Sequence, residues 1–321
     1  MNSSTDFINE LKTRTQIAPN IDIDGMLSAM ILTKAYPHLK IEGLTDSKTN
    51  IWLTKDATID KMIYLDFYTK KQNVCCIDQH IIDVEDINYE DLKFNPNRQM
   101  KKTLKNYTSK FPYSTFMYIL WLMEQEGVAP DIDLGREITD GITLLDLLLR
   151  GDGIYINCVT YFNNTSTWEK RIMMDMDENS ILGRLFAYIH ERRTEDEAMN
   201  HKFRTENAMS RAYGSVKDGF SEPSEGFYRM LKDIYTATDT PDNYSHSMYK
   251  MNTYRFIRPQ IQTDKREIMQ KIIDDDRVLS YAFVKRNGLS IQIRPKDYEI
   301  MHEYNLICKG YNNIDGKFVK T

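Results

Sequence analysis

The sequence has little of what marks several special classes of protein. No apolar run reaches the ~18 residues that indicate a transmembrane helix. No basic segment followed by an apolar stretch opens the chain, so a signal peptide is not predicted. The four cysteines are too few and too scattered for a disulfide framework: Cys75, Cys76, Cys158 and Cys308. We therefore expect a protein of the reducing cytoplasm with no membrane partner.

The sequence also lacks an excess of positive charge. Lysine and arginine number 42 against 47 aspartate and glutamate residues, which gives a net charge of −5. A protein that coats long duplex nucleic acid usually needs a basic face, so this class is disfavoured. A small phosphorylated ligand is not excluded, because a bound metal and a few local cations can hold it.

The apolar content is ordinary for a globular protein, and its distribution predicts an α/β fold. Over 321 residues, 41% are hydrophobic and 28% charged, enough for one large or two ordinary cores. Short apolar runs without alternation, mixed with helical patterns, favour a doubly wound, mostly parallel sheet covered on both faces. The predicted strands are residues 15–23, 38–45, 61–67 and 73–78, and the predicted helices 25–36, 114–126 and 136–150.

Composition divides the chain into three parts. Residues 1–160 carry the predicted parallel sheet. Residues 161–240 are charged and mostly helical in pattern, so we expect a helical connector. Residues 241–321 follow a polar segment with a proline and predict a smaller α+β domain, with an Asn287-Gly288 hairpin turn.

Acidic residues follow three of the predicted strands. Asp22 and Asp24 leave the first strand just before a helix, with Gly25 allowing a tight turn. Asp66 and Asp78 follow two later strands. Ligands of such sheets bind beyond the carboxyl ends of the strands, and hard divalent cations prefer carboxylate oxygens. Each acid alone also fits a solvated turn or a helix N-cap.

Two further residues could belong to the same site. His80 lies two residues after Asp78, although a lone histidine is more often structural than catalytic. Asp140 precedes the apolar run TLLDLLL, where an acid suggests pairing or metal binding, and Asp146 inside that run competes with it.

The order of these elements resembles the DHH phosphoesterase superfamily, in the branch of RecJ-like single-strand exonucleases and nanoRNase-type oligonucleotide hydrolases. The resemblance covers about residues 15 to 150. Its motifs here are DxDGxxSA from Asp22 to Ala29, Leu65-Asp66, Asp78-Gln79-His80, Asn95-Pro96 and Ile138-Thr139-Asp140-Gly141.

The resemblance implies a manganese or magnesium centre with one or two ions. Its expected metal ligands are Asp22, Asp24, Asp66, Gln79 and Asp140, with Asp66 bridging two ions. Asp78 and His80 would act in catalysis, Asp78 as a supporting acid and His80 near the substrate phosphate.

A weaker resemblance continues in the C-terminal part, where family members carry a substrate-binding domain that ends in a GGHxxAAG-like loop. The matching positions here imply substrate binding by Arg294, Lys309, Gly310, Tyr311, Asn312 and Asn313.

Three departures from the family pattern leave the activity open. Gln79 replaces a histidine that normally binds metal, and Asn20 stands where many relatives carry histidine or aspartate. The C-terminal loop is degenerate, with its glycine pair and histidine reduced to Gly310 and Tyr311. We expect a metal-dependent phosphodiesterase acting on a short oligonucleotide or a dinucleotide, cyclic or linear. Alternatives are a catalytically impaired nucleotide-binding or structural component, and a pyrophosphate or polyphosphate hydrolase. A homodimer stays open.

Overall fold

The computed structural model describes twelve stretches of the chain, with short gaps between them. They are residues 3–46, 50–71, 73–85, 92–214, 216, 219–250, 260–263, 265–297, 299–304, 308–309, 311–314 and 317–320. Within these stretches, no helix combines the length and the apolar character needed to cross a membrane.

The described helices and strands alternate through the first part of the chain, and helices dominate its middle. The helices are α1 (Ser4–Thr13), α2 (Ile23–Ala35), α3 (Pro96–Gln99), α4 (Thr115–Gln125), α5 (Leu144–Arg150), α6 (Ile154–Thr160), α7 (Phe162–Ile172), α8 (Ile181–Glu191), α9 (Glu195–Tyr213), α10 (Glu225–Ala237), α11 (Arg266–Asp274) and α12 (Ile300–Glu303). The strands are β1 (Gln16–Pro19), β2 (Lys40–Ile41), β3 (Gly43–Thr45), β4 (Ile51–Leu53), β5 (Met62–Leu65), β6 (Cys75–Ile77), β7 (Lys93–Phe94), β8 (Glu137–Thr139), β9 (Ile142–Thr143), β10 (Tyr249–Lys250), β11 (Gln260–Gln262), β12 (Val278–Lys285), β13 (Gly288–Ile293), β14 (Cys308–Lys309), β15 (Tyr311–Ile314) and β16 (Lys317–Lys320).

A five-stranded parallel sheet forms the centre of the fold. Its strand order is β2-β1-β5-β6-β7, and every neighbouring pair is parallel. The chain leaves β1 for β2 on one side and later returns to pair β5 on the other side. The carboxyl ends of β1 and β5 therefore flank the switch point where such sheets bind ligands. The α/β class predicted from the sequence is confirmed.

The two faces of this sheet are covered by different kinds of structure. Ile63 and Leu65 of β5 point into a large core shared with helices α1, α2 and α4. Met62 and Tyr64 point to the other face, into a smaller core that includes β4. Side chains alternate along a strand, so each face of β5 needs its own apolar cover. The second cover is the antiparallel sheet β10-β4-β3.

The apolar run predicted one helix over residues 136–150, and this prediction is wrong. The segment forms the β8–β9 hairpin and then the helix α5. Asp140 and Gly141 have φ angles of 46° and 71°, and a right-handed helix cannot continue through that conformation. Thr143 then starts α5 by accepting a hydrogen bond from the Asp146 amide, while the Asp146 carboxylate accepts from the Thr143 amide.

The helices of the middle segment pack on the same large core as the parallel sheet. Leu185 of α8, Met209 of α9 and Ile234 of α10 all belong to it. The mostly helical pattern expected over 161–240 is therefore present, and its apolar faces cover the first part of the chain. The division into three domains stays a prediction.

A small antiparallel sheet of order β12-β13-β11-β14 forms most of the described C-terminal part. It packs directly over the loops that follow β5 and β6. The Lys70 amide donates to the Leu279 carbonyl at 3.0 Å, and the Phe283 amide donates to the Ile81 carbonyl at 3.1 Å. Strand β12 consequently forms a wall over the carboxyl ends of the parallel strands.

Candidate metal centre

The turn between β1 and α2 places the first two acids at the sheet's carboxyl edge. Asp22 is the N-cap of α2, and its Oδ1 accepts from the Gly25 amide at 2.8 Å. A Cβ on Gly25 would lie 2.1 Å from the Asn20 carbonyl oxygen. Only glycine permits this close approach, so the turn that presents Asp22 and Asp24 depends on it.

Asp24 lies inside α2 and points at the start of another helix. Its Oδ2 accepts from the Thr115 amide at 2.8 Å and its Oδ1 from the Phe116 amide at 2.9 Å. Ser114, the N-cap of α4, makes no side-chain capping bond. Asp24 thus replaces the usual cap and fixes α4 against α2, because free amides at a helix start favour a carboxylate.

Asp66 follows β5 in a left-handed conformation with φ of 56°. Its Oδ2 accepts from Asn20 Nδ2 at 3.0 Å and its Oδ1 from Thr115 Oγ1 at 3.1 Å. Asn20 also donates to the carboxylate of Asp22. The amide of Asn20 therefore bridges two acids and holds Asp66 at the centre of the cluster.

Asp78 and His80 follow β6 on the neighbouring side. Asp78 Oδ1 lies 2.8 Å from His80 Nδ1. Burial lowers the pKa of His80, but the charge and hydrogen bond of Asp78 raise it by more, so the net pKa is above its usual value. Asn95 Nδ2 donates to the His80 carbonyl at 2.8 Å and fixes the loop. The Asp78 contact also orients the imidazole ring.

Asp152 completes the cluster, from the turn Gly151-Asp152-Gly153 after α5. Its φ is 47°, and its carboxylate accepts from Gln79 Nε2 at 2.7 Å. Gly151 is pressed against α4, where an added Cβ would lie 2.8 Å from Phe116 Cε1. The contact between this turn and α4 brings Asp152 beside Asp24.

Two sets of side chains could each hold a metal ion, and both contain Asp66. One is Asp24, Asp66 and Asp152, and the other is Asp66, Asp78 and His80. Within each set, the candidate ligand atoms lie within 4.8 Å of one another. Asp66, Asp78, His80 and Asp152 line a cavity of about 180 Å³, together with Ser280, Tyr281 and Ala282 of β12.

The electrostatics of this cluster fit a bound cation. Burial raises the pKa of Asp24 well above its usual value, and the charges of Asp152 and Asp22 raise it further. Burial likewise raises the pKa of Asp66, followed by the charges of Asp22 and Asp24. Carboxylates that face one another out of water are costly to ionise, and a divalent cation among them removes that cost. An oxygen-rich donor set of this kind suits Mg²⁺ or Mn²⁺.

The pKa of Asp152 is also raised, mainly because its carboxyl group is desolvated. The charges of His80 and Lys110 lower this pKa and offset part of the shift. The residue nevertheless lies at an exposed rim of the centre. Solvent screens its charge more than that of Asp24 and Asp66, which are buried.

Asp140 is not part of the cluster, contrary to the expectation from the ITDG motif. It lies in the turn of the β8–β9 hairpin with its side chain 49% exposed, and one of its carboxylate oxygens is 3.5 Å from Arg211 Nε. Asp152 takes the place expected for it. The apolar run that suggested a buried acid at Asp140 instead buries Asp146, which contacts His201 and Arg204.

The other predicted site residues separate into two groups. Asp22 lines the 180 Å³ cavity together with Asp66, Asp78 and His80, while Gln79 reaches the cluster through Asp152. Arg294 instead borders a different cavity of about 690 Å³, which shares Phe67 with the first. Gly310 lies outside the described residues. Lys309 belongs to β14, and Tyr311, Asn312 and Asn313 to β15, where only the backbone is described.

Sequence reasoning missed Asp152 and Lys110. The signal for Asp152 was its position between two glycines directly after an apolar helix. Lys110 gave no such signal, because it stands between Ser109 and Phe111 in a segment without a recognisable motif. In the folded chain its ammonium interacts with the carboxylates of Asp152 and Asp78.

The comparisons with known proteins are sparse. No family model and no curated protein matches this sequence. Among solved structures, the crystal structure of RecJ in complex with Mn²⁺ from Thermus thermophilus is similar at a TM-score of 0.29 and 12% sequence identity. The similarity covers 94% of this chain and 52% of that one, so this chain spans about half the length of its structural neighbour. A likeness of this size supports no conclusion about function.

Proposed function

We propose that this chain is a divalent-metal-dependent phosphodiesterase of the DHH type that hydrolyses short single-stranded oligonucleotides or dinucleotides. One observation carries the proposal: the Asp66 carboxylate belongs to two adjoining sets of metal-ligand atoms. A carboxylate shared in this way is the arrangement that a two-metal phosphoester site needs. The order of motifs along the chain supports the same function.

The acidic residues of the cluster would hold the cations, and Asn20 would position one of these acids. Asp24, Asp66 and Asp152 would hold one cation, and Asp66 and Asp78 a second. The His80 ring, hydrogen-bonded to Asp78, would face the substrate instead of binding metal. A cation held there would stabilise the charge on a phosphoryl oxygen. It would also lower the pKa of the attacking water, so that the water can ionise near neutral pH. Asn20 keeps Asp66 in place through its hydrogen bond to Oδ2.

His80 would contact the phosphate or the leaving oxygen. It lines both the 180 Å³ cavity and a larger neighbouring one, so its ring is open to a ligand from either side. The raised pKa of His80 favours the protonated ring, which can donate a proton to an oxygen.

Replacement of Asp66 tests the proposal. Asp66→Ala should abolish Mn²⁺-stimulated hydrolysis of a labelled single-stranded pentamer. Asp60→Asn is the matched control, because Asp60 is an exposed acid paired with Lys71. It should retain wild-type activity. Full activity in Asp66→Ala would exclude the mechanism.

A second candidate is a nucleotide-binding protein on the same scaffold that has lost catalysis. The observation that favours it is Gln79, which stands where the family has a metal-binding histidine and instead donates to Asp152. Titration calorimetry with Mn²⁺ separates the two candidates. Binding at micromolar metal supports the hydrolase, and no binding in that range supports the scaffold.

A further inference from the structure

A second cavity of about 710 Å³ opens beside the candidate metal centre. It shares Gln79, His80 and Asp152 with that centre. We call it the side groove, and its other walls include Tyr107, Lys110, Phe111, Tyr161, Asn164 and Arg286. Its volume lies within the ~300–1,000 Å³ of cavities that enclose drug-sized ligands.

Tyr107, Phe111, Tyr113 and Tyr161 all line the side groove, and Tyr161 is the most exposed of them. Tyr161 is 58% exposed, so its ring is accessible to a ligand in the groove. Tyr107 lines the same groove and is partly buried. Every nucleobase has a flat face that stacks on such rings.

Two cations line the side groove with these rings. The Lys110 ammonium lies 5.0 Å from the centre of the Tyr107 ring. Burial lowers the pKa of Lys110, while the carboxylates of Asp152 and Asp78 act in the opposite direction. Lys110 and Asp152 line the same groove. Arg286 reaches the groove from the exposed tip of the β12–β13 hairpin.

The groove is held in shape by hydrogen bonds from two neighbouring helices. Asn157 donates to the Pro112 carbonyl at 3.0 Å, Asn164 to the Lys110 carbonyl at 2.9 Å and Trp168 to the Ser109 carbonyl at 3.1 Å. A wall fixed before binding loses less conformational entropy when a ligand arrives.

We propose that the side groove binds the nucleotide next to the scissile phosphate of a single-stranded nucleic acid. The base stacks on Tyr161, and Lys110 and Arg286 hold the adjoining phosphate. The inference rests on the proposed function and narrows its substrate. Pyrophosphate and polyphosphate have no base to stack, and a duplex keeps its bases stacked inside the helix.

The test compares a base-bearing ligand with a base-free one of the same length. The probes are 3′-fluorescein pentathymidylate and an abasic pentamer with the same backbone. Binding is measured by fluorescence anisotropy with Ca²⁺, and hydrolysis with Mn²⁺. Stacking of a base contributes about 1–3 kcal/mol, so Tyr161→Ala should weaken pentathymidylate binding and raise KM by about 5- to 150-fold.

Three controls accompany this variant. Tyr161→Phe keeps the ring and should remain within about twofold of wild type, since stacking needs only the ring face. Phe162→Ala removes the ring of the next residue, which is half-exposed and contacts Arg193. This variant should leave binding and KM unchanged. Lys110→Ala should weaken both pentamers alike, because it contacts phosphate rather than base.

The outcomes separate the inference from the proposed function. Equal losses on both pentamers in Tyr161→Ala, no loss on either, or no binding of pentathymidylate to the wild type would each overturn the inference. Tyr161-dependent binding without Mn²⁺-dependent hydrolysis would overturn the proposed function and leave the groove assignment standing. Hydrolysis that needs Asp66 but is indifferent to Tyr161 would do the reverse.

Discussion

Two Asp-Gly turns in this chain have nearly the same φ angles but entirely different surroundings. Asp140-Gly141 has φ angles of 46° and 71°, and Asp152-Gly153 has 47° and 66°. Asp140 points into solvent beside Arg211. Asp152 has a carboxylate oxygen within 4.8 Å of ligand atoms of Asp24 and Asp66. The difference arises from packing, since the φ angles of the two turns agree within about 5°.

Helix α5 separates the two turns and explains their different positions. It begins after the short strand β9 that follows the first turn, and it ends directly before the second. Its C-terminal end packs against α2 and α4, where Gly151 lies against the Phe116 ring. The turn at that end is therefore carried to the carboxyl edge of the sheet, and the turn at the other end stays in the exposed hairpin.

The largest expected contrast is between Asp152→Asn and Asp140→Asn. Both variants remove one charge and keep the shape of the side chain. Asp152→Asn should lower Mn²⁺ affinity and kcat/KM on a single-stranded pentamer by about 100-fold or more, as loss of a direct or supporting ligand does. Asp140→Asn should leave both unchanged. Calorimetry and a fluorescent assay measure the two effects, and similar losses in both variants would contradict the assignment.

A smaller effect concerns the anchoring of α5 between the turns. Burial raises the pKa of Asp146, but hydrogen bonds from His201 and Thr143 and the charge of Arg204 lower it by more, to about 2. A folded-state pKa below the unfolded one stabilises the fold above the unfolded pKa. The stabilisation, about 2 kcal/mol, should therefore be present at neutral pH and disappear as pH falls from about 4 to about 2.

The measurement is urea unfolding of the wild type and Asp146→Asn at several pH values. The difference in unfolding free energy between them should be constant above about pH 4 and shrink below it. Other acids titrate in both proteins and cancel in the difference. A gap that stays constant down to about pH 2 would show that the Asp146 charge does not anchor α5.

The glycines of the two turns offer a matched pair with a smaller effect. Both have positive φ, and an added Cβ would meet nothing within 4 Å at either position. Gly141→Ala and Gly153→Ala should therefore each destabilise the fold by about 1 kcal/mol, through backbone strain alone. Urea unfolding measures this. Only Gly153→Ala should also reduce Mn²⁺-dependent activity, and an equal loss of activity in Gly141→Ala would break the comparison.

The smallest effect is expected at Arg211, the partner of Asp140. Both side chains are largely exposed, at 66% and 49%, and their closest atoms are 3.5 Å apart. Such pairs contribute less than about 1 kcal/mol, so Arg211→Ala should barely change the melting temperature and leave activity intact. A clear loss of activity would place the hairpin turn in the site after all.

The sequence was informative where the strands end. Asp22, Asp66 and Asp78 each follow an apolar strand, and parallel strands bring their carboxyl ends to one edge, so their proximity follows from the strand pattern. Asp24 was predicted because it lies two residues after Asp22. Nothing in the motif showed that Asp24 would also accept hydrogen bonds from the first amides of α4.

The fifth acid of the cluster could not be chosen from the sequence. Asp140 and Asp152 both precede a glycine and both border the same apolar run, one before it and one after it. The hydrophobic pattern treated 136–150 as one helix and could not show that a hairpin occupies its first half. The side groove was missed for a related reason, since Tyr107, Tyr161 and Arg286 come from distant parts of the chain.

The amino-acid sequence by itself determined the parallel sheet, the buried helices α2 and α4, and the acids at the strand ends, because hydrophobic period and strand direction are local properties. The tertiary structure decided which Asp-Gly turn joins those acids, and that aromatic rings and cations gather beside them. Both depend on how α5 and the β12–β13 hairpin pack on the rest of the protein, and packing between distant segments leaves no periodic trace in the sequence.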